Sequence, residues 1–327
     1  MISVLSELQD LYAPVRFDLT LAQRIFDDEL TSVFPFVNDL CETVRSYRGK
    51  MLRPALLLLS ARATGKSCAA HHTLAAVVEM VHMATLVHDD VLDEADQRRK
   101  QPTIASTDGN VAAVLVGDYL ISHAFHLCSS LDDQHASRRI AATTNIVCEG
   151  ELLQNRRRGD ATLTEAEYFE IIQRKTGVLA AVACELGARF AGADDSTAAA
   201  MHAYGLWAGV AFQIMDDVLD IVGDANTVGK TLGRDLAQGK MTLPMIHCLR
   251  GATSATAKAL RAAIGRPGPR ASDRIGGWLA ETASIEYSVT IAREHVAEAL
   301  RQIDPLPSGD SKQSLVALVE FIIDRHF

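Results

Sequence analysis

A chain of 327 residues, 48% hydrophobic and only 6% aromatic, is long enough to bury a large core, and its wealth of Ala and Leu favours helices. A net charge of -9 and a pI near 5.7 leave no basic stripe of the kind nucleic-acid binding needs. Six cysteines without a C-x-x-C pair or regular spacing indicate neither a zinc ribbon nor a disulfide framework and read as buried thiols in a reducing cytoplasm.

In chain order, the N-terminal MISVLSELQDLYAPVRFDL has no basic n-region followed by an apolar core, so no secretory signal is expected. Apolar periodicity predicts helices over 19–46, 52–63, 70–95, 109–131, 135–158 and 164–192, then 196–222, 233–250, 254–264, 271–283, 284–302 and 310–325. No strand is expected. The apolar stretch 111–128 is interrupted by Asp118 and His123, which makes it too short and too polar to span a bilayer. The basic run NRRRGD at 155–160 reads as a solvated helix end. Glycines break the pattern at 64–68, 223–239 and 265–270, and the middle stretch reads as a mobile loop ahead of Pro244. Without a solenoid repeat or a low-complexity linker, residues 1–327 are expected to form a single all-α domain.

The segment DDVLD occurs twice, at Asp89–Asp93 and at Asp216–Asp220, in apolar surroundings both times. At about 100° per residue, His82, Asp89 and Asp93 fall within an arc of roughly 40°. On the second helix Gln213, Asp216, Asp217 and Asp220 fall within roughly 100°. Unpaired carboxylates in an apolar setting would neutralise, so such clusters call for a bound cation. Carboxylate oxygens suit hard cations, and Mg²⁺ completes its octahedron with water and substrate phosphate oxygens. A single D-D-x-x-D could equally be a solvated helix end; two in apolar helices, with cations nearby, favour a metal and a phosphorylated substrate. Those cations are Lys50 and Arg53, Arg98 and Arg99, Lys175, Lys230 and Lys240. His82 could donate to phosphate or be a satisfied core histidine.

The ordered set G-K-x-x-R-P (Gly49 to Pro54), H-x-x-x-x-x-H-D-D-x-x-D (His82 to Asp93) followed by Arg98-Arg99, Lys175-Thr176, F-Q-x-x-D-D-x-x-D (Phe212 to Asp220) and the glycine-rich run to Pro244 resembles the trans-polyprenyl diphosphate synthases. The C-terminal VEFIIDRHF resembles that family's ending, so the likeness covers nearly the whole chain. It implies an isoprenoid synthase fold with helices around a central cavity, normally a homodimer, and head-to-tail condensation of isopentenyl diphosphate with an allylic diphosphate. It also implies a Mg²⁺ cluster of up to three ions, with Mn²⁺ as a substitute, held by Asp89, Asp93, Asp216 and Asp220. By the same carry-over Arg98, Lys175 and Lys230 bind the allylic diphosphate, while Lys50, Arg53, His82 and Arg99 hold isopentenyl diphosphate. Lys175, Thr176, Gln213 and Lys240 lie, by resemblance, beside the reacting carbons, and the last proton leaves to the departing diphosphate.

In that family bulky residues one turn before the first acidic cluster stop elongation, and here the positions are Ala84 and Thr85, with Val81 a turn further back. The helical wheel places Thr85 near the Asp89 face and Ala84 well round from it. No aromatic blocks a tunnel of roughly 20 Å from Asp89 back to Leu74, which favours a product of about C30–C50, of the octaprenyl or solanesyl kind. A short-chain farnesyl or geranylgeranyl synthase is the alternative, with a terpene cyclase, an HD phosphohydrolase and a silent partner subunit more distant. Lys100 departs from the family, which has glycine after the arginine pair. No integral membrane segment is expected, although a greasy product leaves peripheral membrane contact open.

Overall fold

The computed structural model describes residues 10–222, 234–264 and 271–324. After a 3₁₀ turn at Ala13–Val15 come α1 (Arg16–Glu29), α2 (Pro35–Ser46), α3 (Leu52–Thr64) and α4 (Ala69–Leu92). A small hairpin of β1 (Gln97–Arg98) and β2 (Gln101–Pro102) leads into α5 (Ile104–Asp108), α6 (Asn110–Ser129) and α7 (Gln134–Arg156). Then follow α8 (Glu165–Ile172), a π-helical turn at Gln173–Gly177, α9 (Val178–Phe190), α10 (Asp195–Val222) and α11 (Arg234–Ala237). The chain closes with α12 (Leu243–Gly251), α13 (Ser254–Ala263), α14 (Ala271–Glu281), α15 (Ser284–Ile303) and α16 (Asp310–Asp324).

The all-helical expectation holds, with corrections of detail. The helix expected over 19–46 is two, because Pro35 lacks the N–H an interior helical position needs and instead starts α2. The stretch 164–192 is also broken, by the π turn that carries Lys175 and Thr176. Contrary to the expectation of no strand, residues 97–102 pair antiparallel, Gln97 with Pro102 and Arg98 with Gln101.

The chain divides into two compact units, 1–144 with 179–205 and 302–318, and 145–178 with 206–301 and 319–327. Neither is one continuous stretch. In the first unit the central element is α4, which packs on α6, α1 and α3 and buries Leu74, Val77, Val78, Met80, Val81, Met83 and Ala84. Close approach is tight enough to require glycine: a Cβ on Gly187 would lie 2.2 Å from the Leu57 carbonyl oxygen. In the second unit Ile171, Ile172, Val210, Ile214, Met215 and Val218 are buried.

Helix α6 revises one expectation. Its 20 residues with mean hydropathy 1.5 make it long and apolar enough, by length and composition alone, to cross a membrane, because Asp118 and His123 are too few to lower the average. It nonetheless packs against α4 and α5, with Ala113, Val116, Gly117, Leu120, Ala124 and Cys128 buried, as a core helix of the first unit does.

Candidate functional site

Helix α4 ends within the first acidic cluster. Asp93 is its C-cap residue, and its N–H donates to the Asp89 carbonyl at 2.8 Å. The three carboxylates then diverge. Asp90 turns inward, its side chain 4% exposed, and takes a two-pronged grip from Arg98: Nε lies 2.9 Å from Oδ2 and Nη2 2.9 Å from Oδ1. Arg98 also donates to the Leu86 carbonyl at 3.3 Å. Asp89 and Asp93 are half-buried, i and i+4 apart, and reach solvent.

The β1–β2 hairpin is what delivers Arg98 and Arg99. Its two-residue loop is Arg99-Lys100, with φ of 51° and 67°. Positive φ at both central positions makes a type I′ turn, the one whose twist suits a two-residue hairpin and which normally asks for Asn-Gly. Lys100, at the family's glycine position, therefore holds a left-handed conformation costing about 1 kcal/mol. Lys100→Gly is expected to raise stability by up to about that amount in urea unfolding. A loss of stability would mean that the lysine side chain contributes more than the strain it carries.

Arg99 donates to the Tyr47 carbonyl at 2.6 Å, and its guanidinium fills the space beside Gly49, where a Cβ would lie 2.2 Å from Nη2. The glycine of the G-K-x-x-R-P motif is thus the hollow that receives Arg99. Tyr47, fully buried, ties the same region together: its hydroxyl donates to the Pro102 carbonyl at 3.0 Å and accepts from the Ile104 N–H at 2.9 Å. Arg53 sits in the first turn of α3, a helix N-terminus whose dipole favours an anion. Lys50 lies just ahead of it in the chain.

These cations converge electrically on two groups of α4. Burial first, and then Arg53, Arg98 and Arg99, hold the His82 imidazole well below its ordinary pKa. The ring is therefore neutral, with one N–H to donate. Glu79, three residues earlier and 2% exposed, is pushed up by burial and drawn back by Arg53, Arg48 and Arg99. Three guanidiniums around one neutral imidazole and one buried carboxyl make a place for an anion. Sequence reasoning did not single out Glu79, Arg48 or Tyr47; a lone glutamate in the apolar run AAVVEMVHM was the available signal.

In the second unit the same division of labour recurs by different means. Asp217 is 5% exposed; the Tyr168 hydroxyl donates to its Oδ2 at 2.7 Å and the Gln213 amide to its Oδ1 at 2.8 Å. Burial, then Asp235, push its carboxyl well above the usual range, against the hydrogen bonds from Tyr168 and Gln213. Asp216 and Asp220 are half-buried. Asp220 accepts from the backbone N–H groups of Arg234 at 3.4 Å and Asp235 at 3.1 Å.

Thr176 hydroxyl donates to the Gln213 carbonyl oxygen at 2.8 Å, so the Gln213 amide is locked between Thr176 and Asp217. The Thr176 hydroxyl hydrogen is thereby committed, and the residue is buried. The π turn that places Thr176 also carries Lys175, whose Nζ lies 2.9 Å from Gln154 Oε1 and 2.5 Å from Glu151 Oε2. Such turns insert one extra residue into a helix and are frequent at functional sites. Lys240 is half-buried, its N–H donating to the Asp235 carbonyl at 2.8 Å. Lys230, and most of the glycine-rich run, lie outside the described residues. Tyr168 and Glu151 had no motif to reveal them, whereas Asp235 lies in the glycine-rich run to Pro244.

The donor set fits a hard cation: each unit presents two half-buried carboxylates one helical turn apart, with the middle carboxylate withdrawn into protein hydrogen bonds. Residues 35–277, which include both clusters, match the family model described as polyprenyl synthetase.

The chain belongs to the polyprenyl synthetase family.

Relatives extend that match over almost the full length. The octaprenyl diphosphate synthase of Haemophilus influenzae is 35% identical over 324 residues, covering 99% of this chain and 98% of the relative. The all-trans-nonaprenyl-diphosphate synthase (geranyl-diphosphate specific) of Rhodobacter capsulatus is 36% identical over 318 residues, covering 97% and 98%. Among solved structures, a polyprenyl synthase from Caulobacter crescentus, complexed with calcium and isoprenyl diphosphate, superposes with a TM-score of 0.93 at 33% identity, covering 98% of each chain. This polyprenyl synthetase is accordingly a prenyltransferase with the all-α isoprenoid synthase fold.

Proposed function

We propose that the protein condenses isopentenyl diphosphate head-to-tail with an allylic diphosphate primer and repeats the step to give an all-trans, long-chain polyprenyl diphosphate, releasing diphosphate each time. The observation that carries this reading is the sorting of each D-D-x-x-D cluster: Asp90 and Asp217 are consumed by the fold, while Asp89, Asp93, Asp216 and Asp220 are half-buried and spaced to serve as ligands. Those four residues would hold Mg²⁺, or Mn²⁺ in its place, whose charge turns the allylic diphosphate into a leaving group.

The chain's own residues supply the rest. Arg53, Arg99, Lys50 and the neutral His82 bind the diphosphate of isopentenyl diphosphate, with His82 donating a hydrogen bond while the guanidiniums carry the charge. Arg98, Lys175 and Lys230 serve the allylic diphosphate; Arg98 does so through its fixed place on Asp90. Thr176, with its hydroxyl proton turned to Gln213, offers lone-pair density to the allylic cation, and Gln213 and Lys240 frame the same reacting carbons. The last proton goes to the departing diphosphate, so no protein base is needed.

Long chains are favoured by Thr85, which is half-buried and not bulky, and by the octaprenyl and nonaprenyl products in the names of the relatives; Ala84 and Val81, expected to act with it, are buried in the packed side of α4. A homodimer is supported by the exposed apolar side chains Val111, Val114 and Leu115 on α6, and the cytoplasm by the reduced cysteines.

The test is incubation of the purified protein with Mg²⁺, labelled isopentenyl diphosphate and, in turn, dimethylallyl, geranyl, farnesyl and geranylgeranyl diphosphates, with product sizing. A ladder ending well beyond geranylgeranyl is expected. Termination at farnesyl or geranylgeranyl would make this a short-chain synthase, and no condensation with any primer would overturn the reading.

A further inference from the structure

The last residue of α1, Glu29, meets two histidines from the last turns of α6. His123 Nδ1 and His126 Nδ1 both lie 2.8 Å from the same oxygen, Glu29 Oε1. The three side chains can offer ligand atoms that all lie within 4.8 Å of one another. An ionised carboxylate can only accept, so both rings hold their proton on Nδ1 and point that nitrogen at one place.

The arrangement is built rather than incidental. His123 and His126 are i and i+3, neighbours on one face of a helix. Tyr119 packs edge-on against the His123 ring, with centroids 4.2 Å apart, and limits its rotation. Arg45 donates to the carbonyls of Asp27 and Leu30, 3.0 Å each, and so pins the C-terminal end of α1 on which Glu29 sits. The Glu29 and His123 side chains are only 16% and 23% exposed, while His126 is 74% exposed and leaves one side open to solvent. Burial would raise the Glu29 carboxyl, but hydrogen bonds from His126 and His123 bring it below its usual range, so the ligand oxygen is charged.

We propose that Glu29, His123 and His126 form a site for a borderline divalent transition-metal ion of the Zn²⁺ type, separate from the aspartate clusters. Two imidazoles and a carboxylate are the donor set that such ions choose, and the open side leaves a fourth position for water. Mg²⁺, which demands oxygen ligands, is not expected to compete. The metal would take the Nδ1 lone pairs of both rings in their other neutral tautomer, each ring losing its Nδ1 proton to solvent while Nε2 takes one up, and would tie the end of α1 to α6.

The experiment uses the full chain, stripped with a chelator, kept reduced with a phosphine and supplied with excess Mg²⁺ but no substrate. Added Co²⁺ is expected to bind at one equivalent with a visible absorption band of low-coordinate nitrogen and oxygen ligation, and Zn²⁺ to displace it and raise the melting temperature. His126→Ala and Glu29→Gln are each expected to weaken Co²⁺ binding at least about tenfold, whereas Asp89→Asn keeps it. His126 is mostly exposed, so its variant should melt with the wild type in chelator. Absence of Co²⁺ binding at sub-millimolar concentration would overturn the site, leaving two histidine–glutamate hydrogen bonds. So would binding that both variants retain, because the ion would then lie on cysteines or on the aspartate clusters.

Discussion

Asp89→Asn and Asp216→Asn are each expected to lower kcat by about a thousandfold or more, which is about 4 kcal/mol of transition-state stabilisation, while stability stays within about 0.5 kcal/mol of wild type. Both side chains are half-buried, and in the proposed function both exist to hold metal, so asparagine removes charge without leaving a hole. Asp90→Asn should behave in the opposite order. Its carboxylate is buried against Arg98, and removing one partner of a buried pair strands the other charge, at a cost of about 3–5 kcal/mol. Urea unfolding of the three variants beside steady-state kinetics decides the matter. Should Asp89→Asn stay active, or should Asp90→Asn unfold like wild type, the division into ligand and structural aspartates is wrong.

Thr85→Phe is expected to shorten the dominant product by several isoprene units, and Ala84→Phe to destabilise the protein instead. Thr85 is half-buried one turn before Asp89, with its hydroxyl turned back onto the His82 carbonyl at 2.7 Å, so a ring there extends the Asp89 stripe. Ala84 is 0% exposed, within the packed side of α4, and forcing a phenyl ring into such a place costs about 1–3 kcal/mol. Val81, 1% exposed, belongs with Ala84 rather than with Thr85. Product sizing together with melting temperatures separates the two outcomes, and an unchanged ladder from Thr85→Phe would remove that residue from the path of the growing chain.

The variants fail or succeed on a distinction that the helical wheel could not make. Placing Asp216, Asp217 and Asp220 within one arc of α10 says that they share a side, not which of them meets a partner from elsewhere in the chain. Tyr168, 49 residues away, is what withdraws Asp217, and the same holds for Arg98, which reaches Asp90 only because a hairpin folds it back. That hairpin was itself illegible, since its turn residues are Arg99 and Lys100 rather than the glycine and asparagine that normally announce positive φ. The π turn at Gln173–Gly177 left no mark either, because a single extra residue in an apolar helix hardly alters its periodicity. The Glu29–His123–His126 cluster joins residues nearly a hundred positions apart and forms no motif.

Composition, the 3.6-residue period and the order of short motifs were enough to settle the helical class and the family and to name candidate site residues, since these depend on local pattern and residue chemistry. Which of those residues carries charge, which is neutral and which is spent on structure was decided by tertiary contacts. The physical reason is that burial and partner geometry set the state of a polar group: neutral His82 among three arginines, buried Asp90 and Asp217, and a Thr176 hydroxyl whose proton is already committed.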